Sequence, residues 1–254
     1  MVDASEGDLE VIKASDVTVL VVDDEQDLRD IISDRFRAHG FKVLTASGGN
    51  PAWQVLQSEK VNIVITDIRM PDGSGIDLLK NIRKRDFDQP RTFVISGFSG
   101  FSLDQVYAMG ADGLFPKPFD TRNLIETVRH AFIPRKDRWQ VLPIDAPRLS
   151  IEQRFESVEV AKTSHRCSLG RGGVFLGQFD DLVEEGVVVN LNLEFVAEKI
   201  TLRGLGQVVW VRRKDEGQNP RGLGIEIQYL DDASRDWLVA WIEQNRPLAY
   251  IHQK

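Results

Sequence analysis

The chain's 254 residues suit two ordinary domains better than one, and 42% hydrophobic with 28% charged residues excludes a disordered or fibrous protein. A net charge of -7 argues against a general polyanion binder, because nucleic-acid affinity rests on Lys and Arg neutralising phosphates. The single cysteine, Cys167, excludes an intramolecular disulfide and a Cys-based zinc cluster, and reads as a small packed side chain.

Residues 1–15 form an acidic tail without the basic start and continuous apolar run of a secretory signal. The longest strongly apolar stretch, Val17 to Val22, falls far short of the roughly 20 residues of a membrane span. A cytoplasmic protein with no membrane span is expected. Short β-branched runs then alternate with amphipathic stretches of helical spacing, the pattern of βαβ units around a parallel sheet. Strands are expected at Thr18–Val22, Lys42–Ala46, Val61–Thr66, Thr92–Ser96 and Gly113–Phe115. Helices are expected near Gln26–His39, Asn50–Ser58, Ser74–Lys84, Ser102–Met109 and Thr121–Phe132. This predicts a doubly wound, flavodoxin-like five-stranded α/β domain over residues 16–133.

Residues 133–147 change the rhythm, with three prolines and the cluster Arg135-Lys136-Asp137-Arg138, so a linker is expected over 134–146. Beyond it, apolar runs at Phe155–Val160, Gly173–Leu176, Val187–Phe195, Ile200–Val211 and Leu223–Tyr229 are separated by Gly, Asp and Asn turns. They predict an antiparallel β-barrel over 147–250. A final helix, Ala233–Asn245, presents Trp237, Leu238, Trp241 and Ile242 on one face for packing on the sheet. Trp53 and Trp210 read as packing residues, and Phe98 as a loop residue open to a partner.

Candidate chemistry sits where predicted strands end: Asp23 and Asp24 after the first, Asp67 after the third, Ser96 at the end of the fourth, and Lys117 beyond the fifth. In an open parallel sheet the crevice outside the carboxyl ends of the strands is the ligand site. Carboxylates gathered there repel one another unless a cation joins them, which points to magnesium. One carboxylate can then attack phosphorus while Lys117 and the Ser96 hydroxyl hold phosphoryl oxygens. Each residue alone has an ordinary reading, since Asp at a strand end often caps a helix and a lone Lys is usually solvated.

Val21-Val22-Asp23-Asp24-Glu25, the run Thr66-Asp67-Ile68-Arg69-Met70-Pro71-Asp72-Gly73-Ser74-Gly75, Ser96-Gly97 and Lys117-Pro118-Phe119 together resemble the response-regulator receiver signature, over about half the chain. The resemblance implies Asp67 as phosphoacceptor, and Asp23, Asp24, Asp67 and the Arg69 carbonyl around Mg2+. It also implies Ser96 and Lys117 as phosphoryl contacts, a cis Lys117-Pro118 bond and a histidine kinase as donor. Leu114 stands where the family usually carries an aromatic switch residue, so the usual aromatic rotation is not implied.

The stretch Ser168-Leu169-Gly170-Arg171-Gly172-Gly173-Val174-Phe175-Leu176, with Gly206–Val211 and Pro220–Ile227, resembles a PilZ domain, a module that typically binds cyclic di-GMP. That family uses an Arg-x-x-x-Arg pair and an Asp/Asn-x-Ser-x-x-Gly turn. Here Arg135, Arg138, Arg148 and Arg154 have other spacings, and Ser168 and Gly170 replace the acid or amide and the serine. Arg148, Arg154, Ser168, Gly170 and Gly173 are the candidate contacts, with Arg166 and Arg171 as further guanidinium groups, and these departures imply weak or no cyclic di-GMP binding. The expected function is a phosphorylated switch, itself no enzyme, whose second domain contacts an effector protein and whose self-association changes on phosphorylation. A dual-input switch that also binds cyclic di-GMP is the alternative. A catalytic output lacks a nucleophile and base set in the second half, and a DNA-binding output lacks a basic recognition helix.

Overall fold

The structure, a computed structural model, describes residues 13–97, 100–101, 103–131, 137, 139–140, 142–179, 183–215 and 220–248. Phe98, Arg135 and Arg138 lie outside these residues. The chain divides into two compact units, Met1–Val106 with Gly113–Asp137, and Tyr107–Asp112 with Arg138–Lys254.

The first sheet contains β1 (Thr18–Val22), β2 (Lys42–Ala46), β3 (Ile63–Asp67), β4 (Arg91–Ser96) and β5 (Gly113–Pro116). Every pairing is parallel, in the order β2-β1-β3-β4-β5. The connecting helices are α1 (Gln26–Ala38), α2 (Gly49–Ser58), α3 (Gly75–Arg85), α4 (Leu103–Ala108) and α5 (Thr121–His130). Both sheet faces are buried. Val19, Val21, Ile63 and Ile65 pack with Ile32, Phe36, Leu124 and Val128, while Leu20, Val22 and Val64 pack with Ala52, Leu56, Leu78 and Ile82. The alternation of side chains along each strand produces these two layers, and burial of both faces accounts for the near-continuous apolar strands. Trp53 is half-buried against the second layer, as its packing reading expects.

The strand and helix expectations hold in this half to within two residues where described. The Ser74 hydroxyl accepts from the Asp77 N–H and donates to its carboxylate, so α3 begins at Gly75. Asp120 caps α5 by accepting from the Arg122 N–H.

The second sheet corrects the expected antiparallel barrel. It comprises β6 (Leu149–Phe155), β7 (Cys167–Leu169), β8 (Gly173–Gly177), β9 (Val188–Phe195), β10 (Ile200–Arg212) and β11 (Gly222–Leu230). Its order is β6-β9-β10-β11-β8-β7, an open six-stranded sheet. It is mixed, because β6 pairs with β9 in parallel while the other ladders are antiparallel. Strand direction leaves no trace in hydrophobic alternation, so the residues alone did not reveal it.

The expected strand Phe155–Val160 is instead the end of β6 followed by helix α6 (Val158–Thr163). Ser157 caps α6 from the Val160 N–H, and Glu198 accepts the Val158 N–H at 3.0 Å, so apolar residues with strand composition are drawn into a helix. The final helix, α7 (Asp232–Asn245), packs as expected. Leu238 and Ile242 are buried, and Phe155, Phe195, Trp237 and Trp241 stack in succession with centroids 5.3 to 6.3 Å apart. Trp210 is half-buried, stacked on Phe175 at 5.6 Å with its ring against Gly224, where a Cβ would lie 2.0 Å from the indole. Cys167 is buried, which pushes its thiol up to about 12 against the weaker opposing charge of Arg166.

Candidate functional site

β1 and β3 are adjacent and parallel, so the residues after their last apolar positions emerge side by side at one end of the sheet. Asp23 and Asp67 are 1% and 8% exposed there. The Asp23 carboxylate accepts the Glu25 N–H at 2.9 Å, and its backbone carbonyl accepts from the Arg29 guanidinium of α1 at 2.6 Å. Asp67 accepts the Arg69 N–H on Oδ2 at 2.7 Å, which leaves Oδ1 for a second partner.

That partner is Lys117. The Lys117 N–H donates to the Ser96 carbonyl at 2.7 Å, fixing the loop after β5 onto the end of β4. Its ammonium then reaches Asp67 Oδ1 at 2.8 Å, Asp23 Oδ2 at 3.3 Å and Glu25 Oε1 at 3.6 Å. The Ser96 side chain is buried beside it and donates to the Gly97 carbonyl. The Lys117-Pro118 bond is cis.

Electrostatics follow from burial. Loss of water raises the Asp23 carboxyl above its ordinary value and the Asp67 charge adds to this, against the opposing Glu25 N–H and Lys117. Burial pulls the Lys117 ammonium down, yet the hydrogen bond to Asp67 and the charges of Asp23 and Asp67 outweigh it, and the net displacement is upward. The lysine therefore stays charged, holding together two carboxylates that would otherwise repel.

Asp23, Asp67 and Lys117 meet directly, and Ser96 joins them through the backbone. Asp24 is exposed, and Arg69 enters through its N–H. Glu25 and Arg29 were missed by the sequence reading; Glu25 adjoins the acidic pair, and Arg29 stands four residues on, the spacing that turns back toward a helix's first turn. Gly75 was also missed as a site residue: a Cβ there would lie 1.9 Å from the Asp67 carbonyl oxygen, so α3 can start this close only with glycine.

The candidates in the second unit are dispersed. Arg148 is exposed and lines a cleft of about 220 Å³ with Asp145, Glu184 and Glu185. Arg154 faces Glu194 at 3.3 Å on β9. Ser168 lies in β7 opposite Phe175, while Gly170 and Gly173 close the β7–β8 turn through a 2.9 Å backbone bond. Arg171 in that turn is fully buried, and Arg166 lies over the Phe155 ring at 5.2 Å.

A family model described as "Response regulator receiver domain" matches residues 19–129. The chain is 32% identical over 129 residues to the response regulator SaeR of Staphylococcus aureus strain USA300, covering 50% of this chain and 55% of that protein. The chain thus spans about half the length of the curated relatives it matches. Among solved structures, a response regulator receiver protein from Pseudomonas putida is 30% identical with a TM-score of 0.42, covering 45% of this chain and 96% of that one. The Thermotoga maritima response regulator TrrA, solved in complex with Mg2+ and BeF, is 29% identical with a TM-score of 0.42, covering 46% of this chain and 99% of that one. The family match spans all five strands of the first sheet and the acid–lysine cluster at their ends, and residues 19–129 are a response-regulator receiver domain.

Proposed function

We propose that the protein is a two-component response regulator that accepts a phosphoryl group on Asp67. The single observation that carries this reading is the convergence of Lys117 on Asp67 Oδ1 and Asp23 Oδ2, at 2.8 and 3.3 Å, at the end of a parallel sheet. The donor set fits a divalent cation, because buried Asp23 is raised by desolvation and by the facing Asp67, and a cation would relieve both. Among the described residues no group of three or more His, Cys, Asp or Glu is gathered as a metal cage. Magnesium asks for less, one or two carboxylates with waters and phosphate oxygens. Asp23 and Asp67 would hold it, with Asp24 and the Arg69 carbonyl nearby in sequence; when bound it neutralises carboxylate and phosphoryl charge.

In the transfer, an Asp67 carboxylate oxygen forms a bond to phosphorus as the donor's bond to phosphorus breaks. The leaving group, the imidazole of a kinase histidine, departs with the electron pair. The Arg69 N–H holds the other Asp67 oxygen in place. Lys117, already charged and beside Oδ1, follows the charge onto a phosphoryl oxygen, and the Ser96 hydroxyl rotates from the Gly97 carbonyl to another.

The proposed organisation is a receiver over 16–133, a linker over 134–146 and a PilZ-like output module over 147–250 that contacts an effector protein, with self-association altered on phosphorylation. The closely closed glycine turn at residues 170–173 supports the PilZ-like reading. A second reading, in which this module also binds cyclic di-GMP, is favoured by one feature. Phe175 and Trp210 stack beneath the Arg212 guanidinium, 5.9 and 5.2 Å from their centroids, a surface suited to a planar base. The test of the main reading is Mg2+-dependent labelling by acetyl phosphate, expected in the unaltered chain and absent from Asp67→Asn. Titration with cyclic di-GMP separates the second reading.

A further inference from the structure

The loop that follows Asp67 is gripped by α2. The first turn of any α-helix leaves N–H groups without intrahelical partners, and here Gly48, which precedes α2, is extended and supplies no side-chain cap. The acceptors come from the loop instead. The Gly49 N–H donates to the Gly73 carbonyl at 2.9 Å and the Asn50 N–H to the Asp72 carbonyl at 3.0 Å. The Asn50 side-chain amide adds a third bond, to the Asp72 carboxylate at 2.8 Å.

The approach is so close that a Cβ at Gly48 would lie 2.5 Å from the Asp72 carbonyl oxygen, and one at Gly49 2.7 Å from that of Gly73. Gly73 itself takes φ +87°, a left-handed conformation that lets the loop turn its carbonyls toward α2. At its other end the same loop meets the site. The Arg69 N–H holds Asp67 Oδ2, and the Gly75 N–H donates to the Ile68 carbonyl at 3.0 Å. Residues 68–75 are thus fixed at one side to the reacting carboxylate and at the other to α2.

We infer that Asn50 is a positioning residue for phosphoryl transfer: through Asp72 it sets the loop whose Arg69 N–H aims the Asp67 carboxylate. The inference rests on the reading of Asp67 as phosphoacceptor. Asn50 and Asp72 are exposed, so their bond contributes little to global stability, and its loss should appear in the rate at Asp67 and in the motion of the loop. Asp72 offers a competing explanation, since its charge could act on a nearby cation directly, and a swap of the two side chains separates the two.

The experiment measures the rate of Asp67 labelling by acetyl phosphate with Mg2+ in the full chain, alongside amide exchange over residues 68–75 and thermal unfolding. Asn50→Ala should label about two- to tenfold more slowly, the rate equivalent of one hydrogen bond, with faster loop exchange and an unchanged melting temperature. Asp72→Asn should stay near the unaltered rate, because the introduced amide oxygen still accepts from Asn50. Asn50→Asp should be slow, with carboxylate facing carboxylate, and adding Asp72→Asn to it should restore the rate to within about twofold. Unchanged labelling or unchanged loop exchange in Asn50→Ala overturns the inference, as does a slow Asp72→Asn that the swap does not rescue. Failure of the unaltered chain to label at all would instead remove the phosphoacceptor reading, and the inference with it.

Discussion

In the receiver, side chains from the ends of separate strands finish within hydrogen-bonding reach of one another around one lysine; in the second unit, the candidate arginines are spread out and meet separate partners. Lys117 spans Asp67, Asp23 and Glu25, whereas Arg154 faces Glu194 across two strands and Arg235 meets Asp232 one turn earlier in α7. Exposed pairs of the latter kind are worth little. Convergence from distant sequence positions, with the desolvation it imposes on Asp23, is what distinguishes a built site from a solvated face.

The comparison breaks most sharply at Lys117. Lys117→Ala removes the cation that joins Asp67 to Asp23, and should slow acetyl phosphate labelling about a hundredfold while lowering the melting temperature. Arg154→Ala, which removes an exposed ion pair in the second unit, should leave both unchanged. Equal effects of the two would erase the distinction.

Glycines sharpen it next. Gly75→Ala and Gly224→Ala each force a Cβ to within about 2 Å of a neighbour, the Asp67 carbonyl oxygen and the Trp210 indole respectively, and each should cost about 1–3 kcal/mol in denaturant unfolding. Only Gly75→Ala should also impair labelling, since only it displaces Asp67.

A smaller effect comes from Asp23. Its folded pKa lies above the ordinary carboxylate value, so the folded chain holds this proton more tightly than the unfolded one. The associated stability is present below the ordinary carboxylate range and is lost as pH rises through the folded value. At neutral pH the ionised group is a cost. Asp23→Asn should therefore match the unaltered chain in acid and be the more stable of the two at pH 7, while losing Mg2+-dependent labelling. A destabilised variant at pH 7 would show that the Lys117 attraction outweighs burial.

These contrasts track what the residues alone revealed. The receiver's strands were legible because both faces are buried and their apolar runs end at Asp23, Asp67 and Ser96, residues whose types name the chemistry. Glu25 and Arg29 were less visible, because a carboxylate beside an acidic pair and an arginine on an amphipathic helix have ordinary solvated readings. Gly75 and the Asn50–Asp72 bond depend on approaches between segments, which residue types do not encode. In the second unit the long strands β9, β10 and β11 announced themselves through alternation. The three-residue β7 was too short to do so, α6 was hidden by β-branched residues at its start, and the parallel direction of β6 depended on a pairing across 40 residues, as Leu149 with Val189 illustrates.

The most direct test of the central claim is intact-mass measurement of the full chain after incubation with acetyl phosphate and Mg2+. One added phosphoryl group is expected on the unaltered chain, lost on chelation of the metal before donor is added and absent from Asp67→Asn. Undiminished labelling of Asp67→Asn would contradict it.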